Sequence, residues 1–164
     1  MLFEIKDKLI DSGVTFSSET DSEVIAHLAG TYLAKGYSLR DSLVKAVSHI
    51  KGNTVVIAIA ALEPEKVVGL RLGNAGGIVV GKTNDTAVMA SDTVALIPHT
   101  EEVIYLESGE VVEIECGSIR LFDFNGASIG RKAVKVNQNF QAAQKGTHPD
   151  FMSKEIDEQP EAVQ

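Results

Sequence analysis

The sequence predicts an α+β fold in which helices from the first third of the chain pack on a mostly antiparallel sheet. Apolar residues recur at helical spacing up to about residue 50. From Thr54 onward, short β-branched runs are separated by Gly, Asn and Asp. Because helical and strand segments follow one another rather than alternate, the pattern favours an α+β arrangement.

The helical region begins with a predicted helix from Leu2 to about Ser12, followed by a short β-like piece from Val14 to Ser17. Thr20 and Glu23 then have the spacing of a capping box, in which the N-cap hydroxyl and the glutamate three residues later satisfy each other's backbone N–H groups. A second helix is therefore predicted to begin at Thr20.

A third helix is predicted directly after Ser38, which with Asp41 forms a weaker version of the same box. Its expected buried face is made by five apolar residues at helical spacing: Leu39, Leu43, Ala46, Val47 and Ile50. Gly52 is expected to close this part of the chain.

The strand region begins with the apolar run Thr54 to Leu62, which is typical of a strand covered on both faces. A turn is expected at Glu63-Pro64-Glu65. Further strands are predicted at Lys66 to Leu72, Ile78 to Gly81, Thr86 to Ala90, Glu102 to Leu106, Val111 to Cys116 and Ile119 to Phe122. A short helical turn is expected at Thr93 to Ile97, and after Val136 the polar sequence reads as a linker.

Composition and charge narrow the possible functions. The chain has 164 residues, of which 44% are hydrophobic and 23% charged, with a net charge of −8. Such an acidic chain is a poor partner for nucleic acid, which is bound mainly through Lys and Arg. No apolar run reaches the roughly 18 to 20 residues that span a bilayer, so no membrane partner is expected. One cysteine makes no internal disulfide, which favours a reducing, cytoplasmic location.

The most specific motif match in the sequence is to the phosphate-binding loop pattern G-x-x-x-x-G-K-[ST], which fits Gly76 to Thr83. Such a loop needs a strand before it and a helix after it, so that backbone N–H groups hold the phosphates. Here Ile78, Val79 and Val80 have the character of a strand, and Asn84-Asp85 that of a hairpin turn. We therefore interpret the match as accidental and keep nucleotide binding as a remote alternative.

Candidate nucleophiles and metal ligands are scarce. Cys116 is adjacent to Glu115 and close to Glu113, which would raise its thiol pKa, so we expect a structural role and no catalytic residue. The four histidines are far apart, at positions 27, 49, 99 and 148. No metal-ligand spacing is present, and no cofactor is indicated.

Asp21 is the most informative single carboxylate, because it lies in the first turn of the second predicted helix. An acidic residue there also complements the helix macrodipole, and on sequence grounds alone this ordinary explanation is favoured. The functional alternative is that Asp21 binds the ammonium group of a ligand.

Four ordered segments resemble one enzyme family. Phe16 to Leu28 contains Ser-Glu-Thr-Asp followed by Glu-Val-Ile-Ala-His, similar to S-E-T-D-T-E-V-I-A-H of glutamine–fructose-6-phosphate aminotransferase (isomerizing), also called glucosamine-6-phosphate synthase. Ala90 to Thr100 matches A-S-D…A-L-x-P-x-T, Val103 to Glu110 matches V-I-Y-L-E-x-G-E, and Lys154 to Pro160 matches K-E-I-x-E-Q-P. The chain therefore resembles the glutamine amidotransferase domain of that family over nearly its whole length.

The resemblance implies a fold, a reaction and two regions. The fold would be part of the four-layer α-β-β-α sandwich of N-terminal nucleophile hydrolases. The family transfers the amide nitrogen of glutamine to fructose 6-phosphate, giving glucosamine 6-phosphate. Residues 1–136 would form an incomplete type 2 glutamine amidotransferase domain, and residues 137–164 an interdomain linker with the start of the sugar-isomerase junction.

The resemblance also implies which functional residues are present. The family's N-terminal cysteine nucleophile, the arginine that binds the glutamine carboxylate and the Asn-Gly oxyanion hole lie upstream of the matched segments. Asp21 alone carries over, as the residue that binds the α-ammonium of glutamine, so we expect glutamine, the family's substrate, to bind this chain weakly or not at all. We therefore expect the chain to be inactive alone. Its expected partner is a complementary amidotransferase half that supplies the missing residues. The alternative is a non-catalytic regulatory module that pairs with an intact synthase.

Overall fold

The computed structural model describes residues 2–74, 76–83, 86–136 and 148–162. The helices are α1 (Leu2–Asp11), α2 (Asp21–Leu33), α3 (Leu39–Ser48) and α4 (Phe151–Ala162). The strands are β1 (Thr54–Ala60), β2 (Glu63–Leu72), β3 (Val79–Lys82), β4 (Ala87–Ala90), β5 (Glu102–Tyr105), β6 (Glu110–Glu115), β7 (Ser118–Asp123), β8 (Ser128–Ile129) and β9 (Val134–Lys135). This order of helices and strands confirms the predicted α+β class. None of the described helices has the length and apolarity that a membrane span requires.

The strands form two antiparallel sheets. Sheet A has the order β1-β2-β6-β7-β8, and sheet B has the order β4-β3-β5-β9. Helices α2 and α3 cover one face of sheet A, and sheet B covers the other. Strand β6 contributes to two hydrophobic cores, one on each face of sheet A, because Val111 packs towards the helices and Val112 towards sheet B. Both side chains are fully buried.

Helix α3 follows the prediction closely. All five predicted core residues are buried, with Ala46 and Val47 completely inaccessible. The Ser38 hydroxyl accepts a hydrogen bond from the Asp41 N–H at 3.1 Å, so this cap forms as expected. Gly52 follows the helix with φ +115°, a conformation that suits glycine.

The approach to α2 differs from the prediction. Residues 14–17 form no strand, because the Val14 N–H bonds to the Leu9 carbonyl and the Ser17 N–H bonds to the Glu23 side chain. Thr20 is the N-cap residue, but its side chain caps no helical N–H. Instead its hydroxyl lies 2.9 Å from the Ser18 hydroxyl. The expected reciprocal capping box is therefore replaced by a wider loop held by Glu23.

The first hairpin is tighter than predicted. Ala60 pairs with Glu63, so the turn lies at Ala61 and Leu62, and Glu63 already belongs to β2. Pro64 is tolerated in the strand because it lies within the register shift between the Ala58 and Ala60 pairs, where the ladder with β1 is interrupted.

Strand β1 is exposed where the sequence predicted cover on both faces. Ile57 pairs with Gly69 of β2 and so faces sheet B, yet Ile57 is 47% exposed and Ile59 is 75% exposed. A Cβ added at Gly69 would lie 2.6 Å from the Met89 sulfur, which shows that β4 packs over β2. Within the described residues sheet B ends at β4, so the inner face of β1 is left largely open.

The C-terminal region contains a helix that the polar sequence pattern did not predict. Helix α4 lies in the segment expected to be a linker, and it contains Pro160 in its last turn, where the ring removes one backbone N–H from the helix close to its end. Most of the expected linker, residues 137–147, lies outside the described residues. The division into residues 1–136 and 137–164 stays a prediction.

Candidate functional site

The loop that precedes α2 is organised around the carboxylate of Glu23. This carboxylate accepts the backbone N–H groups of Ser17 and Ser18, each at 2.7 Å. It also accepts both serine hydroxyls, that of Ser17 at 3.0 Å. These bonds, with the Ser17 N–H first among them, lower the pKa of Glu23 from 4.5 to about 2. The loop is therefore held by a charge that persists well into the acidic range.

Helix α1 is joined to the same loop through aromatic and cationic contacts. The ring of Phe16 meets His27 edge-on with 4.7 Å between ring centroids. The Lys6 ammonium lies 4.9 Å from the centroid of Phe16 and donates to the Ser18 carbonyl at 3.4 Å. His27 also lies 3.3 Å from Glu23, one helical turn away. Thus α1, the loop and the first turn of α2 form one unit.

Asp21 is the first residue of α2 and lines a groove of about 400 Å³ between α1 and α2. Its side chain is exposed, and among the described residues it has no hydrogen-bond or ion-pair partner. The other residues of the groove are Phe3, Lys6, Asp7, Ile10, Glu19 and Val24. Three carboxylates against one ammonium make the groove suited to a cationic group, and its apolar residues suit a short aliphatic chain.

Cys116 lies in the turn between β6 and β7, away from this groove, with φ +47°. Its thiol is exposed and donates to a carboxylate oxygen of Glu65 at 3.5 Å. The hydrogen bond and negative charge of Glu65, with a contribution from Glu115, raise the pKa of the thiol. Because a thiolate is the reactive form, a raised pKa makes the thiol less reactive at neutral pH; that Cys116 has no catalytic role stays a prediction.

The histidines are dispersed. His27 contacts Glu23 and Phe16, and His49 lies 2.8 Å from the Tyr32 hydroxyl. His148 lies 3.4 Å from Asp157. In the part of the chain that is described, no group of three or more His, Cys, Asp or Glu side chains could hold a metal ion.

The phosphate-loop match is a β-hairpin. Gly81 and Lys82 belong to β3 and pair with Val88 and Ala87 of β4. The Thr83 N–H bonds to the Thr86 carbonyl at 2.8 Å, which leads directly into β4. Since a strand follows where a phosphate loop requires a helix, the segment has no N-terminal helix dipole to hold phosphates. Asn84 and Asp85, for which the sequence predicted a turn, lie outside the described residues.

Two structural roles went unpredicted from the sequence. Glu23 was expected to bond to the N–H of Thr20, but its carboxylate reaches Ser18 and Ser17, two and three residues earlier in the chain. These two adjacent serines are the signal that could have indicated this. Arg71 donates to the Leu106 carbonyl at 2.6 Å and so ties sheet A to the end of β5. Its Nε is buried without a partner among the described residues.

Comparison with known proteins identifies relatives along almost the whole chain. No protein-family model matches. Glutamine–fructose-6-phosphate aminotransferase (isomerizing) of Salmonella typhi is 36% identical over 159 residues, which is 97% of this chain and 26% of that protein. The enzyme of the same name from Escherichia coli K12 is 35% identical over the same shares. That of Methanothermobacter thermautotrophicus is 35% identical over 98% of this chain and 27% of that protein.

Solved structures agree on the fold. A glutamine phosphoribosylpyrophosphate amidotransferase from B. subtilis, solved with ADP and GMP, superposes with a TM-score of 0.62 over 74% of this chain and 26% of its own. A structure described as the allosteric regulatory enzyme of purine biosynthesis has a TM-score of 0.63 over 75% of this chain. Both are 23% identical, so they establish the amidotransferase type of fold alone. The chain is thus homologous to a segment of the glutamine–fructose-6-phosphate aminotransferases, spanning about a quarter of the length of these relatives.

Proposed function

We propose that this chain is part of the glutamine-handling domain of an enzyme that transfers the amide nitrogen of glutamine to fructose 6-phosphate, giving glucosamine 6-phosphate. The observation that carries the proposal is the 36% identity over 97% of the chain to an aminotransferase of that name. The amidotransferase type of fold supports it independently. The role of this chain within such an enzyme is to bind and orient glutamine.

Asp21 is the residue proposed to bind the α-ammonium group of glutamine. A carboxylate and an ammonium form a charge-assisted hydrogen bond, which is stronger than a neutral one. Three features support the role: Asp21 is exposed, it has no partner among the described residues, and its loop is held in place by Glu23. Holding the backbone before the ligand arrives reduces the entropy lost on binding.

Catalysis requires groups that the described residues do not bring together. In the family that the chain resembles, the thiol of an N-terminal cysteine attacks the side-chain amide of glutamine, and ammonia leaves. Cys116 is the single cysteine of the chain, and its raised thiol pKa disfavours such a role. We therefore propose that the chain alone releases no ammonia from glutamine, and that Asp21 contributes binding rather than chemistry.

The four-layer sandwich and the division of the chain belong to the same proposal. Three layers are present in the described residues: helices, sheet A and sheet B. The outer face of sheet B already carries a small cluster of Val79, Leu96 and Val103, on which a fourth, helical layer would pack. Residues 1–136 would form the amidotransferase part, and residues 137–164 the junction to a sugar-phosphate domain.

A second candidate function is a regulatory module that pairs with an intact synthase. The observation that favours it is the open side of the sandwich, where β1 and β4 are edge strands and Ile57 and Ile59 are exposed. Such a surface is suited to another polypeptide. The two functions differ in glutamine binding, which the module does not require.

A chimera distinguishes the two candidate functions. The matched segment of the Escherichia coli relative is replaced by this chain, and ammonia release from glutamine is measured in the purified protein. Glutaminase activity in the chimera would support the proposed part in glutamine handling. A chimera that folds, as judged by circular dichroism and a cooperative melt, but releases no ammonia would favour the regulatory module.

A further inference from the structure

A second groove, of about 400 Å³, lies between the two sheets at β5 and β7, towards the side opposite the edge strands β1 and β4. Sheet B lines it with Val80 and Ile104, and sheet A with Ser118 and Ile119. All of its lining residues lie between positions 80 and 133, and none of them lines the groove at Asp21. Its volume is in the range of small-molecule sites, so it is a separate candidate for a ligand.

The floor of this groove is apolar. Val80 is completely buried, and Ile104 and Ile119 pack against the hydrophobic cluster to which it belongs. Hydrocarbon lying on this floor would be removed from water, which is favourable. A polar group in the same place would lose its hydrogen bonds to water, which is costly. The floor therefore suits the aliphatic part of a ligand.

Two opposite charges stand side by side at the mouth of the groove. Strands β3 and β5 are antiparallel with Gly81 opposite Val103, so the next position brings Lys82 opposite Glu102. The Thr100 hydroxyl lies 2.9 Å from the Lys82 carbonyl and 3.0 Å from the Glu102 carbonyl, and so holds the two strand ends together. Opposite residues of paired strands have Cβ atoms only about 4.5–5.5 Å apart. The ammonium and the carboxylate are therefore neighbours on one face of sheet B.

Both charges are available to a ligand. Lys82 and Glu102 are exposed, and neither side chain forms an ion pair or hydrogen bond with another residue in the described part of the chain. The third charged residue of the lining, Arg131, differs, because its guanidinium donates to the Glu110 carboxylate at 2.6 and 2.9 Å. The groove thus presents one ammonium and one carboxylate above an apolar floor.

From this arrangement we infer that the groove binds a free α-amino acid with an aliphatic side chain. Such a molecule carries its carboxylate and its ammonium on one carbon atom, so Lys82 contacts the first and Glu102 the second. The Ser118 hydroxyl, on the facing sheet, is a further donor to the carboxylate. The aliphatic side chain lies on Val80 and Ile104. A simple anion would be repelled by Glu102 and a simple cation by Lys82, whereas a zwitterion satisfies both charges.

Three small probes test the inference on the full chain. Leucine carries both charges, isocaproate lacks the ammonium and isoamylamine lacks the carboxylate. Saturation-transfer NMR of their methyl groups measures each dissociation constant, and hydrogen exchange locates the contact. Leucine should bind in the millimolar range and slow exchange at residues 80–82 and 118–119, and the other two probes should bind about fivefold more weakly. No binding of leucine at tens of millimolar, or equal affinity for isocaproate, would overturn the inference.

Variants assign the two charges. Lys82→Gln should weaken the binding of leucine and isocaproate about fivefold, with isoamylamine bound no more weakly than before. Glu102→Gln should weaken leucine and isoamylamine, but not isocaproate. Lys135→Gln is the matched control, because Lys135 pairs with Glu102 from the other side, in β9, and does not line the groove. It should leave leucine binding unchanged, and equal losses in all three variants would contradict the assignment.

Two further measurements separate this groove from the candidate site at Asp21. Asp21→Asn should leave leucine binding unchanged; a loss would place leucine in the groove between α1 and α2 and overturn the inference. Within that variant, glutamine should bind more weakly than leucine, because its amide would lie on the apolar floor, and equal affinity would contradict the aliphatic assignment. An active chimera together with a chain that binds no leucine would remove this inference alone and leave the proposed function standing.

Discussion

The backbone N–H of Ser18 donates to the carboxylate of Glu23 at 2.7 Å, and this bond fixes the loop that leads into Asp21. Glu23 is thereby the residue that positions the candidate site, although it does not line the groove. Replacement of Glu23 by Gln keeps the size of the side chain but removes the charge that four donors share. We expect a lower melting temperature and faster exchange of the amides at Ser17 and Ser18. Glu19→Gln, on the same loop without these bonds, is the control and should leave both unchanged.

The same carboxylate predicts a pH dependence. Because the pKa of Glu23 is lowered from 4.5 to about 2 on folding, its contribution to stability is complete above pH 4.5. It is lost as the pH falls through the window from 4.5 to about 2. The difference in stability between the original chain and Glu23→Gln should therefore shrink across this window, as measured by urea titration at successive pH values. A difference that is constant with pH would contradict the role of the charge.

Much of this fold was predictable, and the exceptions have physical causes. The buried face of α3 and the strand that contains Val111 and Val112 could be predicted from the local spacing of apolar residues, because that spacing does not depend on distant parts of the chain. The exposed inner face of β1 could not be predicted, since cover depends on where a distant strand, β4, stops. The hydrogen-bond partners of Glu23 were missed for a similar reason. A capping pattern indicates which carboxylate accepts hydrogen bonds, whereas the conformation of the loop decides which N–H groups donate to it.

Gly69 lies at a close approach of the two sheets. A Cβ there would lie 2.6 Å from the Met89 sulfur and 2.9 Å from a methyl carbon of Val112. Gly69→Ala should therefore lower the free energy of unfolding by about 1–3 kcal/mol. Gly30→Ala in α2 meets nothing within 4 Å and should instead raise it by about 0.5–1 kcal/mol. Urea denaturation of both variants checks the pair, and equal effects would contradict the proposed sheet packing.

The raised pKa of Cys116 predicts slow thiol chemistry. Glu65 holds the proton on the sulfur through a hydrogen bond at 3.5 Å and through its charge. Glu65→Gln should lower the thiol pKa and increase the rate of reaction with a disulfide reagent at fixed pH. The pH profile of that rate measures the change directly. A profile that does not move would show that Glu65 does not control the thiol.

The open side of the sandwich predicts association of the purified chain. Edge strands β1 and β4, together with exposed Ile57, Ile59 and Leu62, should give concentration-dependent association without one discrete size. Ile59→Lys should reduce it, whereas Met152→Lys on α4, at a comparably exposed position, should not. Sedimentation velocity over a range of concentrations distinguishes these results from a monomer, which would contradict the expectation.

The role of Asp21 is the central claim, and a comparison of two substrates in the active chimera tests it most directly. KM is measured for glutamine and for its analogue without the α-amino group, in the chimera and in its Asp21→Asn variant, with Asp7→Asn as the control from the same groove. Loss of one charge-assisted hydrogen bond is worth about 1.5–3 kcal/mol, so KM for glutamine should rise roughly tenfold to a hundredfold at nearly unchanged kcat. KM for the analogue should not change. A rise of the same size for both substrates would contradict the assignment of the α-ammonium to Asp21.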